Sequence, residues 1–320
     1  MRQLDDAGAA IATQVARLFF DRQLSKVEIG QRLGMSRFRV ARLLREAREA
    51  GLVRVEYRDV AARDLDLARE LETRHGLDLC AVAAPAGELQ DAAALLGAEV
   101  VADLLAPDET LGVAWGSTLA ATLGALPRRD YPELRVVPLA GGWPGLPRER
   151  TPGELARRGA ERLGGTHLEL YAPAFVASRR LRDALVGEAG VTAVLEAYRR
   201  LTTAVIGIGA WTGRAKVAGS SLLASGAVSQ EELRELRSRG AIGELVVHPF
   251  DAAGQFVTSE LAERAVAIPL EQLRRVPRVV AIAAGASKAD AIRGALAAGV
   301  VNVLVTDAPT AAAVLGRVAA

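Results

Sequence analysis

The sequence predicts an α/β chain in two parts: a small N-terminal helix-turn-helix domain with a wing, and a larger, doubly wound domain on a mostly parallel sheet. Three observations carry this. The first fifty residues hold three helix-length apolar periods separated by capping and turn signals. From residue 77 onward, short all-apolar runs alternate with helical stretches, as buried parallel strands do with their crossover helices. Half of the 320 residues are hydrophobic but only 4% are aromatic, a profile that suits helices and a buried parallel sheet better than an aromatic-rich sandwich.

The elements of the first part follow in order. A helical period runs from about residue 9 to 21, with Ile11, Val15, Leu18 and Phe19 on one face. Ser25-Lys26-Val27-Glu28 is a capping box, in which the serine oxygen and the glutamate satisfy free N–H groups at a helix start. Gly34 ends that second helix, because only glycine readily takes the positive φ of the sharp turn. Ser36 then caps a third helix that runs to about Ala50 and stops at Gly51. Two short helices joined through Gly34 make a helix-turn-helix, with Ile29, Leu33, Met35, Val40 and Leu43 at the contact and small Gly30 at the closest approach. At 100° per residue, Val40, Leu43, Leu44 and Ala47 form the inner face of the third helix. Phe38, Ala41, Arg42 and Arg45 point the other way, beside Arg37. An exposed Phe among arginines is unusual for a solvated helix, and it suits covering a thymine methyl while an arginine pairs with guanine. Lys26, Ser36, Arg37, Phe38, Ala41, Arg42 and Arg45 are therefore the candidate DNA contacts. Val53 to Tyr57 alternates like a strand and is expected to form the wing.

Charge agrees with this division. The first sixty residues hold twelve basic against eight acidic side chains, while the rest of the chain holds 28 against 30. A basic head on a near-neutral body fits nucleic-acid contact at one end. The only lysines are Lys26, Lys216 and Lys288. A single cysteine, Cys80, rules out an internal disulfide and suits a reducing, cytoplasmic setting. No apolar run approaches membrane-spanning length. The three histidines lie far apart, so neither a metal site nor a cofactor is expected.

Residues 59–76 are charged and helical in pattern and read equally as a linker or a dimerisation helix, with Leu65, Ala68 and Leu71 on a stripe that Leu67 can join. The boundaries expected are thus 1–58 for the head, 59–76 for the connector and 77–320 for the second domain. Strands are predicted at 79–84, 111–114, 135–139, 166–170, 204–208, 279–284 and 301–306. Ligands in such sheets bind outside the carboxyl ends of the strands. The glycine-rich pieces there are Trp115-Gly116-Ser117-Thr118, Ala140-Gly141-Gly142, Gly207-Ile208-Gly209, Gly240-Ala241-Ile242-Gly243-Glu244 and Gly285-Ala286-Ser287-Lys288. The first opens a helix whose N-terminal N–H groups favour an anion.

These pieces, with Gly51-Leu52-Val53, Val137-Pro138-Leu139 and the stretch from Ala284 through Ala291-Ile292 to Val303-Leu304-Val305-Thr306-Asp307, resemble in order and spacing the SorC/DeoR-type sugar-binding transcriptional regulators. The resemblance implies an effector domain folded like the sugar-phosphate isomerases and deaminases, and a homodimer or tetramer. It also implies operator DNA as one partner and a phosphorylated sugar or related polyol as the other, most simply in a repressor of a carbohydrate operon. By position, Gly116, Ser117 and Thr118 hold the phosphate, Lys288 adds positive charge, Glu244 accepts from sugar hydroxyls, and Gly141 and Gly142 line the ring. The family usually has Asp where this chain has Glu244, and Gly where it has Ala286.

Two other readings compete. The related fold catalyses isomerisation with carboxylates and a histidine, and Glu244, His248 and Asp251 lie close in sequence. Against it, residues 248–254 read as a strand end and a turn, and a DNA-binding head has no place on a plain metabolic enzyme; no catalytic residue is expected. The other is a regulator whose pocket only oligomerises, which Ser117, Thr118 and Lys288 argue against.

Overall fold

The computed structural model describes residues 6–20, 22, 24–53, 62–84, 89–211 and 219–317. Contacts divide the chain into two compact units, Met1–Val60 and Ala61–Ala320. In the first, α1 (Asp6–Phe20), α2 (Lys26–Leu33) and α3 (Arg37–Glu49) pack around Ala12, Val15, Ala16, Ile29, Val40, Leu43, Leu44 and Ala47. The α1 face is rotated from the expected one: Ala12 and Ala16 are buried and Ile11 is 37% exposed, because small side chains permit the closer helix approach. At α2 the Ser25 hydroxyl accepts from Glu28 N at 3.3 Å and the Glu28 carboxylate accepts from Ser25 N at 2.8 Å. Gly34 closes the helix at φ 63°. A Cβ at Gly30 would overlap the Met35 carbonyl oxygen. The wing expected at 53–57 lies, beyond Val53, outside the described residues.

The second unit begins with α4 (Leu65–His75), capped by Asp64 and closed by Gly76. It buries Leu67, Ala68 and Leu71 in the unit's own core, while Leu65 is 59% exposed. There follow β1 (Leu79–Ala83), α5 (Leu89–Leu104), β2 (Thr110–Val113), α6 (Ser117–Ala125), β3 (Arg135–Pro138), α7 (Pro152–Leu163) and β4 (Thr166–His167). Next are α8 (Arg179–Val186), α9 (Ala189–Tyr198), β5 (Thr203–Ile206), β6 (Ile208–Ala210), α10 (Ser221–Ala224), α11 (Gln230–Ser238), β7 (Ala241–Leu245) and β8 (His248–Asp251). The chain closes with α12 (Glu260–Glu263), α13 (Leu270–Leu273), β9 (Arg278–Ile282), α14 (Ala289–Ala297), β10 (Val303–Asp307) and α15 (Ala308–Val314).

Seven strands form one parallel sheet in the order β1-β10-β9-β5-β2-β3-β4. Its central strands are buried on both faces, which is why they read as unbroken apolar runs. From β2 the chain steps outward to β3 and β4; from β5 it steps the other way, to β9 and β10. The order therefore reverses between β2 and β5, and a crevice opens beyond their carboxyl ends. One element was not expected. The segment 241–245, read as a loop at a strand end, is the middle strand of a small antiparallel sheet, β6-β7-β8. Its glycines disguise it: a Cβ at Gly243 would overlap the Gly209 carbonyl, so the close pairing excludes a side chain there.

Candidate functional site

A cavity of about 350 Å³ occupies that crevice. It is lined by Ala114–Leu119 after β2, Gly207–Gly209 after β5, Gly219–Ser221, Glu244 and Val246, and Ile282, Ala284, Ser287 and Lys288 around the end of β9. Of the seven residues expected at an effector site, the fold brings five together: Gly116, Ser117, Thr118, Glu244 and Lys288.

The first turn of α6 lines the cavity. Gly116, at φ 119°, turns the chain from β2 into the helix and supplies no capping side chain, so the positive end of the helix is set at the cavity. Glu244, which lines it too, is buried. Its Oε1 accepts from the Ser220 hydroxyl at 2.6 Å, and among the described residues its Oε2 completes no hydrogen bond, although the Trp211 indole N–H lies near enough to act on the carboxyl. Burial pushes this carboxyl up to about 8, against the opposing pull of the Ser220 hydrogen bond, the Lys288 charge and the Trp211 indole N–H. The Lys288 ammonium donates to the Ile208 carbonyl at 3.1 Å. Burial lowers its pKa, while the Glu244 charge acts the other way. Glu244 lies directly across the ladder from Gly209, where any Cβ would collide with the carboxylate. The longer acid thus fits because its cross-strand neighbour has no side chain.

Gly141 and Gly142 are not among the lining residues. Their N–H groups are already spent inside the fold, Gly141 on the Val266 carbonyl at 3.0 Å and Gly142 on the Ala172 carbonyl at 3.3 Å. They stand behind the wall instead: Trp143 packs edge-on to cavity-lining Trp115 at 4.8 Å and donates its indole N–H to the Ser225 hydroxyl at 2.7 Å. Among the lining residues that sequence reasoning missed, Ser220 and Ser221 had a signal in the hydroxyl pair that starts α10. Val246 had none. It sits in the two-residue hairpin between Leu245 and His248 at φ 56°, a position where glycine or asparagine is the usual choice.

His248 and Asp251 do not join Glu244 in the cavity. The His248 Nε2 lies 2.9 Å from the Ile268 carbonyl oxygen, and Asp251 Oδ1 accepts from Ala253 N and Gln255 N at 2.9 and 2.8 Å, organising a turn. Strand pairing points His248 away from the wall that Glu244 faces.

In the head, Ser36 accepts from Arg39 N at 3.3 Å and starts α3. Arg37, Phe38, Arg42 and Arg45 are exposed on it, Phe38 at 71%, with the Arg37 guanidinium 4.9 Å from the Phe38 ring centroid. Arg42 is held by Glu46 one turn on at 3.5 Å. Lys26, over the Phe19 ring at 5.9 Å, shares a shallow groove with Ala41 and Arg45. The seven candidate contacts therefore lie on the start of α2 and the outer side of α3.

A helix-turn-helix module and a pocket at the switch point of a parallel sheet define a class: the metabolite-responsive DNA-binding regulators. The sugar-binding domain family model matches residues 59–316. The erythritol catabolism regulatory protein EryD of Brucella abortus is 32% identical over 320 residues, covering 98% of each chain. The sorbitol operon regulator of Klebsiella pneumoniae is 27% identical, covering 94% of this chain and 96% of its own. The crystal structure of full-length SorC from Klebsiella pneumoniae superposes with a TM-score of 0.74 at 26% identity, over 97% of this chain and all of that one. The chain belongs to the SorC/DeoR-type family of sugar-binding transcriptional regulators. Among the described residues no helix is long and apolar enough to cross a membrane, and no group of three or more His, Cys, Asp or Glu is placed to hold a metal ion.

Proposed function

We propose that the chain represses a sugar- or polyol-utilisation operon, and that its operator binding is set by a small phosphorylated sugar or related polyol held in the switch-point cavity. The observation that carries this reading is a cavity that offers two chemistries. The first turn of α6 attracts an anion, while among the described residues the buried Glu244 Oε2 completes no hydrogen bond. A ligand that carries both a phosphate and hydroxyls meets both demands. In this reading Gly116, Ser117 and Thr118 bind the phosphate, Lys288 supplies charge beside it or to a neighbouring oxygen, and Glu244 hydrogen-bonds a hydroxyl. The relatives' names, erythritol catabolism and sorbitol operon, point to the same ligand class.

On the DNA side, α3 enters the major groove. Arg42 and Arg45 read base edges, Phe38 covers a thymine methyl, and Lys26, Ser36 and Arg37 hold phosphates. A two-fold operator then requires two heads, so the active species is a homodimer or a tetramer. The reading is of a binding cavity and not a catalytic one, supported by the one carboxyl among its described lining residues, which is not joined by the His248 and Asp251 that an isomerase reading needs.

The test is a thermal-shift screen of the full chain against sugar phosphates, their parent sugars and polyols. A ligand that binds only the folded state at a hundred times its Kd adds about 2.7 kcal/mol. A rise with one phosphate ester and none with its parent supports the reading. A rise with a free polyol alone removes the phosphate role from Ser117 and Thr118, and no rise with any leaves a pocket that only shapes the oligomer.

A further inference from the structure

In the stretch from Ala284 to Asp307, Ala284, Ser287 and Lys288 line the cavity, while Asp307 at its far end does not. Asp307 is the last residue of β10 and, like Thr310 on α15, is completely buried. A buried carboxylate costs several kcal/mol unless hydrogen bonds replace its water, so its partners show what it is for. Oδ1 accepts from Thr310 N at 2.8 Å, an ordinary helix cap. Oδ2 does something a cap does not require. It accepts from the Thr310 hydroxyl at 2.6 Å and from Gly285 N at 3.0 Å, and Thr310 Oγ1 itself lies 2.7 Å from Gly285 N.

Gly285, at φ 107°, opens the short 3-10 turn Ala286–Lys288. Its carbonyl accepts from Lys288 N at 2.9 Å. Hydrogen bonds therefore link Asp307 and Thr310 to the Gly285 N–H, and the carbonyl of the same residue, one peptide further on, to the backbone of Lys288. Beyond it, the ammonium reaches Ile208 at the cavity wall. The glycine hinge before Lys288 is otherwise unrestrained by any side chain of its own.

We propose that Asp307 and Thr310 are positioning residues for Lys288: together they clamp the Gly285 N–H and thereby fix where the lysine ammonium stands in the cavity. The inference rests on the reading of the cavity as the effector site, since only there does the placement of Lys288 matter. Asp307→Asn separates the two tasks of the carboxylate. Its amide oxygen keeps the cap to Thr310 N, and its NH2 group meets the Gly285 N–H donor to donor. Thr310→Val removes the hydroxyl at nearly constant volume, and Thr310→Ser restores it.

The experiment uses the full chain grown with 15Nζ-labelled lysine, in which three lysines produce three side-chain signals and Lys288→Arg assigns the one of interest. No ligand is needed, so a failed clamp and a failed effector reading remain distinguishable. In Asp307→Asn and in Thr310→Val, the Lys288 signal shifts and its titration midpoint rises toward the ordinary lysine value, as water enters around the loosened turn and relieves the burial that lowers it. The Lys26 signal stays in place, and Thr310→Ser returns Lys288 to its wild-type position. A folded Thr310→Val chain whose Lys288 signal and midpoint match wild type overturns the proposal, whether or not Asp307→Asn folds.

Discussion

Glu28 in the head and Glu244 in the pocket unit have the same side chain under opposite constraints. Glu28 is exposed and bonded to the backbone and hydroxyl of Ser25 three residues away, and those bonds hold its carboxyl below the usual range. Glu244 is buried, and its surroundings come from separate pieces of chain: Gly209 across the ladder, Ser220 capping α10, Lys288 before α14. The head's working surface is likewise local. Phe38, Ala41, Arg42 and Arg45 recur at the helical period, so one α-helix suffices to gather them. The pocket is gathered from five separated pieces of chain, and only the strand order makes them neighbours. Function in the head is written at short range; in the pocket it is written in the topology.

That contrast can be broken or sharpened by experiment, and the largest effect belongs to Glu244. Its carboxyl is raised from 4.5 to about 8 in the folded protein, so between those values the native state holds a proton that the unfolded chain has released. Stability must then fall as pH rises through this window and stop falling above about 8. Glu244→Gln is expected to remove that slope, worth a few kcal/mol across the window, in urea midpoints compared at about pH 5 and pH 8. A slope that survives the substitution assigns the pH dependence to other groups.

Lys288→Ala follows. Loss of a charge-assisted hydrogen bond costs about 1.5–3 kcal/mol, up to roughly a hundredfold in affinity. The expected chain still binds its operator but no longer responds to the effector. Operator release at the wild-type effector concentration, read by fluorescence anisotropy, would remove Lys288 from the site.

Arg42→Ala, in the head, is expected to cost about 1–3 kcal/mol of specific binding and to relax preference at one base pair. Its ligand-induced thermal shift should be that of wild type. If operator preference is unchanged, Arg42 contacts phosphate or nothing.

The smallest effect is expected from Ser25→Ala, which removes one capping bond worth about 1 kcal/mol. Faster amide exchange in α2, with no change around the cavity, is the outcome that keeps the two regions energetically separate. A weakened effector response would mean that they are not.

Legibility followed the same division. The capping box, the Gly34 turn and the inner face of α3 were readable because each is a pattern within eight residues. The inner parallel strands were readable because burial on both faces demands continuous apolar runs, whereas the edge strand expected at 166–170 is only Thr166–His167 and is not buried. The Ile11 face was misjudged because side-chain size, not hydrophobicity alone, decides which turn of α1 comes closest to α3. The strand Ala241–Leu245 was taken for a loop because its glycine answers to a neighbouring backbone. Gly141 and Gly142 stand after a strand, as pocket glycines do, yet segment 172–174 and the strand-like stretch at Val266 claim their N–H groups. No spacing rule announces such a partner.

What the residue order alone determined is therefore most of the parallel strands, the three helices of the head with the outer face proposed to read DNA, and the small set of glycine-marked turns from which a pocket had to be drawn. Those follow from backbone geometry and burial, which act between residues a few positions apart. The tertiary structure alone decided which of those turns meet. It put β2 beside β5, so that the Gly116 turn faces Gly207 and Lys288. It also placed Glu244 across from a glycine and away from water. A carboxyl's charge and a lysine's reach depend on what is packed within a few ångströms of them, and in this domain those neighbours arrive from pieces of chain up to 80 residues apart.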